Sequence, residues 1–168
     1  MKVNKLTLQG YRNIENIEIV PSDGINVVHG DNAQGKTNLL EGIWLFTGCK
    51  SFRGTKDTEL VGFGQSFARL DMDFNAFGRD QNASIVIEMN RRASLNGVGL
   101  QSPARLMGEF LAVVFSPAHL SLVQAGPSER RKFIDTALGQ LSRRYARALT
   151  EYNKVLLQRN YLLKDIPR

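Results

Sequence analysis

The spacing of apolar and polar positions changes along the chain, and each change predicts an element. Val3, Leu6 and Leu8 mark an extended stretch from about Lys2 to Gln9, and Ile14, Ile17 and Ile19 a second strand ending at Pro21. Gly10 to Asn13 reads as a turn or bulge between them, and Ser22-Asp23-Gly24 as a turn after them. The β-branched run Ile25 to His29 predicts a short buried strand. Leu39, Leu40, Ile43, Trp44 and Leu45 then recur at helical spacing, which predicts an amphipathic helix from about Lys36 to Thr47. The polar, basic segment Lys50 to Asp57 reads as a loop. From Phe67 to Phe74, Ala68, Leu70, Met72 and Phe74 alternate with Phe67, Arg69, Asp71 and Asp73, the pattern of a strand with one wet face. Asn82 to Met89 is its expected partner, and Asn96-Gly97 predicts a hairpin through Arg92 to Leu100.

Ser102-Pro103 predicts the start of a short helix, with Ser102 as cap and Pro103 in the first turn, ending near Gly108. Phe110 to Phe115 is the most apolar run and predicts a buried strand. Ser116-Pro117 predicts another short helix through Leu122, and Gly126-Pro127-Ser128-Glu129 a longer one to about Leu138. A final helix is expected from Ser142 to about Lys164. On it Tyr145, Leu149, Tyr152, Leu156 and Leu163 form a heptad-like stripe, with Arg159 filling the remaining position. That length suits a helical hairpin packing on its own domain better than a dimerising coiled coil.

Between the predicted strand at Ile25 and the predicted helix lies Gly30-Asp31-Asn32-Ala33-Gln34-Gly35-Lys36-Thr37, which reads G-x-x-x-x-G-K-T, the phosphate-binding loop pattern. Gly30 and Gly35 permit backbone angles that a Cβ forbids, so the loop can turn its N–H groups inward around phosphate oxygens. The helix N-terminus adds partial positive charge. Lys36 is expected to reach the β- and γ-phosphates, and the Thr37 hydroxyl to coordinate Mg²⁺. The middle of the chain then reads as an antiparallel meander forming a second layer beside this core.

The chain of 168 residues suits one domain. No apolar run reaches membrane-spanning length, and the N-terminus lacks the apolar core of a signal peptide. Cys49, the single cysteine, has no internal disulfide partner and reads as a buried small residue, so a cytoplasmic protein is expected. The net charge is +6, with 12 basic and 12 acidic residues up to Ser128 and 10 basic against 4 acidic after it. A neutral body with a basic helical tail points to an acidic partner, nucleic acid first, or else to a solvated helix face. Arg130, Arg131 and Lys132, and Arg143, Arg144 and Arg147 on a compact arc of the last helix, are the candidate phosphate-backbone contacts.

These motifs together resemble the N-terminal half of the RecF family, bacterial recombination-mediator ATPases related to SMC-type and ABC-type heads. The likeness rests on Leu8 to Asn13, Gly30 to Asn38, Leu40 to Ile43, Ser51-Phe52-Arg53, Phe115-Ser116-Pro117, Gly126 to Asp135 and Leu157 to Asn160, spread over nearly the whole chain in the family's order. It implies an α/β P-loop NTPase half-head, with an antiparallel meander and the beginning of a helical lid. The expected division is 1–115 for the ATP-binding head and 116–168 for the lid. It further implies a cytoplasmic DNA replication and repair protein of the DNA-damage (SOS) response that uses ATP and Mg²⁺. Such a protein binds double-stranded or gapped DNA, forms an ATP-dependent homodimer when full-length, and acts with RecO and RecR to load RecA. By analogy with related heads, Arg12 would reach the phosphates or sit as a surface arginine. Arg53 would sense nucleotide or DNA, or sit as a solvated loop charge. The chain departs from the family at Ala118-His119, where an acidic residue usually follows Ser-Pro, and His119 reads as a surface residue rather than a base.

Two features of a complete head are missing from the sequence: an apolar strand ending in the acids that hold Mg²⁺ and polarise water, and a Ser-Gly-Gly signature. The family carries both in its C-terminal half. A fragment that binds ATP without turning it over is therefore expected, from a full-length protein that is a weak ATPase. No catalytic residue is assigned. The alternatives are a head fragment of another SMC-like ATPase and a small P-loop phosphotransferase.

Overall fold

The computed structural model describes residues 1–116 and 126–164. Its strands are β1 (Lys2–Tyr11), β2 (Ile14–Ile19), β3 (Ala68–Ala76), β4 (Arg79–Ile87), β5 (Arg91–Leu95) and β6 (Val98–Gly99). The helices are α1 (Lys36–Leu45), α2 (Pro127–Leu141) and α3 (Arg143–Lys164), with single 3-10 turns at Asp57–Leu60 and Pro103–Leu106. The chain divides into two compact units, Met1–Ala112 and the remainder from Val113.

In the first unit all six strands form one antiparallel sheet in the order β2-β1-β3-β4-β5-β6. The meander is thus not a separate layer, because β3 pairs directly with β1, aligning Leu8 with Leu70 and Leu6 with Met72. The period-2 pattern of β3 explains why. Ala68, Leu70, Met72, Phe74 and Ala76 are all buried on one face, where they meet Leu6, Leu8, Ile85 and Ile87. Each large apolar side chain buried there contributes about 1.5–3 kcal/mol. The tight turns are set by residues in the left-handed region, Phe77 and Gly78 after β3 and Asn96 and Gly97 after β5.

α1 lies on this apolar face. Leu39, Trp44 and Leu45 are buried, and the helix comes closest at Gly42, where an added Cβ would meet both Leu8 methyls at 3.2 Å. Phe110 packs edge-on against Phe74, with ring centroids 5.4 Å apart. Arg91 is also drawn inside, its side chain only 6% exposed, where it pairs with Asp57 at 3.4 Å and donates to the Cys49 carbonyl at 3.0 Å. Cys49 is buried, as expected, and burial pushes its thiol up from the ordinary value.

Two predicted strands are not present. Ile25 to His29 has no strand pairing, and Ile25, Val27 and Val28 are exposed. The run from Phe110 behaves similarly: Phe110 is buried, but Val113 and Phe115 are each 93% exposed and no strand forms. The physical reason is common to both. A β-branched or aromatic run becomes a strand only where a neighbouring backbone takes its N–H and C=O groups, and no strand among the described residues pairs with either run. Ser102 precedes the predicted turn but makes no capping bond, and the helix there is one 3-10 turn. The expected helix after Ser116, with Ala118 and His119, lies outside the described residues.

The second unit is a helical hairpin in which Ser142 joins α2 to α3. Pro127 stands in the first turn of α2 and Gly139 is buried near its end. Tyr145 Oη donates to Asp135 Oδ1 at 2.5 Å, tying the helices together, and that bond raises the Tyr145 phenol pKa. Of the predicted stripe, Tyr145, Leu149 and Leu156 are partly covered, whereas Tyr152 and Leu163 are exposed.

Candidate phosphate-binding site

Gly30, Ala33 and Gly35 all have positive φ, so the segment from Gly30 to Lys36 curls rather than extends. Gly35 caps α1 in the left-handed region without any side-chain cap, and no acid stands in the first turn. The end of the helix therefore presents backbone N–H groups and their partial positive charge. Inside the curl, Lys36 Nζ donates to the carbonyls of Gly30 and Asp31, both at 2.6 Å. Asp31, Asn32, Gln34 and Thr37 are exposed around it. This arrangement fits a polyphosphate: a folded backbone cradle, a helix N-terminus and an ammonium. It also fits the Mg²⁺ that accompanies one, since the Thr37 hydroxyl is accessible. Among the described residues no cluster of His, Cys, Asp and Glu could hold a metal by itself.

A polar network braces the loop from behind. Asn13 Nδ2 donates to the Ala33 carbonyl at 2.8 Å, and Asn38 Nδ2 donates to Asn13 Oδ1 at 2.7 Å. Arg53 donates to Asn38 Oδ1 at 2.8 Å and stands 3.9 Å from Glu41. Arg12 does not point into the loop. Its Nε and one terminal nitrogen donate to the two carboxylate oxygens of Glu41, each at 3.0 Å. Its remaining bonds go to the Thr55 hydroxyl at 2.8 Å and the Glu59 carbonyl at 3.1 Å. Burial acts against the Arg12 charge, but the bonds and charge of Glu41 outweigh it, and the pKa is raised. Ser51 Oγ also donates to Glu41. The Tyr11 hydroxyl lies buried beside this pair, and its pKa is raised by burial and then by the Glu41 charge.

The structure thus brings together the loop residues and Arg53, and assigns Arg12 to Glu41. Glu41, Asn13 and Asn38 complete the network, though the phosphate-loop pattern does not include them. Glu41 carried a signal, because an acid preceding Trp44 and Leu45 by three and four positions falls on the buried face of α1. The basic residues are placed differently. Arg143, Arg144 and Arg147 are exposed on one arc of α3. Arg130, Arg131 and Lys132 are exposed on α2, but as consecutive residues they fan over about 200° of the helix and share no face. Lys132 lies 4.0 Å from Glu129.

Comparisons with known proteins agree with this geometry. A family model described as "AAA domain" matches residues 5–156. The "DNA replication and repair protein RecF" of Lachnospira eligens is 39% identical over 168 residues, covering 99% of this chain and 46% of the relative. That of Bacillus mycoides is 41% identical over 174 residues, covering 99% and 44%. The chain therefore spans about half the length of the curated relatives it matches. A solved structure of the recombination mediator protein RecF with ATPrS superposes with a TM-score of 0.91 at 34% identity, over 98% of this chain and 45% of that one. The SMC head domain from Thermotoga maritima, at TM-score 0.54 and 20% identity over 66% of this chain and 43% of that one, shares the fold alone. The fold is that of a P-loop ATPase head, and the chain belongs to the AAA domain family, with the N-terminal half of RecF as the part it resembles.

Proposed function

We propose that this chain is the nucleotide-binding half of a RecF-like ATPase head and that Gly30 to Thr37 binds ATP with Mg²⁺. The observation that carries this reading is the Lys36 ammonium clasped by the Gly30 and Asp31 carbonyls at the uncapped N-terminus of α1. Lys36 and the loop N–H groups would hold the phosphates, Thr37 the metal, and Arg53 would approach from the side. Arg12 serves by bracing Glu41 rather than by touching nucleotide. The metal, when bound, neutralises phosphate charge.

The head occupies about residues 1–115 and the helical lid begins at 116. The full-length protein is a cytoplasmic weak ATPase of DNA replication and repair, within the response to DNA damage. It dimerises on ATP and binds double-stranded or gapped DNA through basic residues that include Arg130, Arg131, Lys132, Arg143, Arg144 and Arg147. It works with RecO and RecR so that RecA loads. The bare runs at Ile25 and Val113 pair with the part of the head that the longer relatives carry. Acids and signature motif come from that part as well, so this chain alone binds ATP without turning it over. ATP hydrolysis by this chain that disappears in Lys36→Ala would overturn the last point. Binding itself is tested by titrating a labelled ATP analogue with Mg²⁺ into parent and Lys36→Ala; saturable binding lost in the variant is expected, and equal binding by both refutes the site.

A further inference from the structure

The carboxylate at the centre of the network belongs to Glu41, which the phosphate-loop pattern does not include. Its side chain is fully buried, and three residues from two segments converge on it. Arg12 arrives from the end of β1, Ser51 from the loop after α1, and Arg53 from the same loop. The two arginines differ in freedom. Arg12 has a side chain only 14% exposed, with its other donors spent on Thr55 and Glu59. Arg53 is 43% exposed, lies 3.9 Å from Glu41, and is bonded to Asn38, the residue after Thr37. Asn38 bonds Asn13, which holds the Ala33 carbonyl. An unbroken chain of polar contacts therefore runs from the buried carboxylate to the phosphate loop.

We propose that Glu41 is a positioning residue for triphosphate recognition: by binding Ser51 and attracting Arg53, it keeps the Arg53 guanidinium beside the first turn of α1, facing the terminal phosphate of a bound nucleotide. The inference rests on reading Gly30 to Thr37 as the ATP site. It adds a specific consequence. The terminal phosphate carries charge that a diphosphate lacks, so a guanidinium held there strengthens ATP binding and leaves ADP binding nearly unchanged. A Glu41 that only propped up the fold would weaken both nucleotides alike. Glu41→Gln keeps the shape but removes the charge that attracts Arg53, and turns an N–H toward a donor of Arg12.

The test is equilibrium binding of Mg²⁺ with a non-hydrolysable ATP analogue, and separately with ADP, to the full gene product as parent, Glu41→Gln, Arg53→Ala, Arg53→Lys and Lys36→Ala. Glu41→Gln and Arg53→Ala each lower affinity for the ATP analogue on the order of tenfold, the worth of one hydrogen bond to a charged group, and change ADP affinity little. Arg53→Lys restores part of the loss, since it keeps the charge without the planar fork. Equal losses for both nucleotides, or a parent-like ATP-to-ADP ratio, overturn the proposal. If Glu41→Gln does not fold by circular dichroism, Arg53→Ala decides on the same ratio. Parent-like binding by Lys36→Ala would instead overturn the ATP-site reading beneath it.

Discussion

Gly42 offers a prediction whose sign is set by two opposing magnitudes. A glycine inside a helix ordinarily costs about 0.8–1.0 kcal/mol relative to alanine, so Gly42→Ala should stabilise α1 in isolation. Here the added Cβ would stand 3.2 Å from both Leu8 methyls and 3.6 Å from Leu70. Leu8 is fully buried, with Ile17 and Leu70 beside it on the neighbouring strands, so it has little room to retreat. Overpacking of this kind costs about 1–3 kcal/mol. The second magnitude exceeds the first, and a net loss of about 1 kcal/mol is expected. Urea unfolding of parent, Gly42→Ala, Leu8→Ala and the double variant measures it. Leu8→Ala alone costs about 2–5 kcal/mol, but it makes room for the methyl. In that background Gly42→Ala should therefore stabilise by about 1 kcal/mol, giving a coupling of about 2 kcal/mol. A parent stabilised by Gly42→Ala, or strictly additive effects, would refute the claim that α1 is seated on the sheet through this glycine.

Further outcomes follow from other sites. Asn13→Asp removes the N–H held by the Ala33 carbonyl, so ATP-analogue binding should fall about tenfold with little change in the urea midpoint; an unchanged affinity would show that the brace is dispensable. Asp57→Ala strands the buried Arg91 guanidinium and should destabilise by about 2 kcal/mol, while Asp57→Ala with Arg91→Met should recover part of that loss in the same unfolding assay. The Cys49 thiol is buried and its pKa raised, so less thiolate is present at pH 8 than for a free cysteine. Its reaction with a disulfide reagent should be slow in the folded chain and rapid in urea, and equal rates would contradict the packing around it.

Local patterns carried most of the first unit. The alternation of β3, the Asn96-Gly97 turn and the amphipathic spacing of α1 each encode their structure within a few residues, and the loop pattern marked Gly30 to Thr37. What was not legible depends on partners distant in sequence. That β1 pairs with β3, merging hairpin and meander into one sheet, follows from shared burial that no local window contains. Ile25 to His29 and Val113 to Phe115 have strand composition, yet strand formation is a property of a pair. Arg12 reads from the sequence as a phosphate contact or a surface arginine, because its partner Glu41 lies 29 positions away. The pairing is visible only once the fold brings the two together.

The pairing of β1 with β3 has a consequence for the order of folding. The strands β3 to β6 are joined by short turns and can form early from local contacts, whereas β1 meets β3 only after everything from Arg12 to Phe67 has been looped out. That loop contains β2, the phosphate loop and α1. The anchors of the cradle, Asn13 at its back and Leu8 under α1, are supplied by β1 and the turn beyond it. What this least local pairing completes is the seat of α1, since Leu8 and Leu70 stand together under Gly42 only once β1 lies beside β3, whereas the bonds that brace the cradle itself are all made within the looped-out segment.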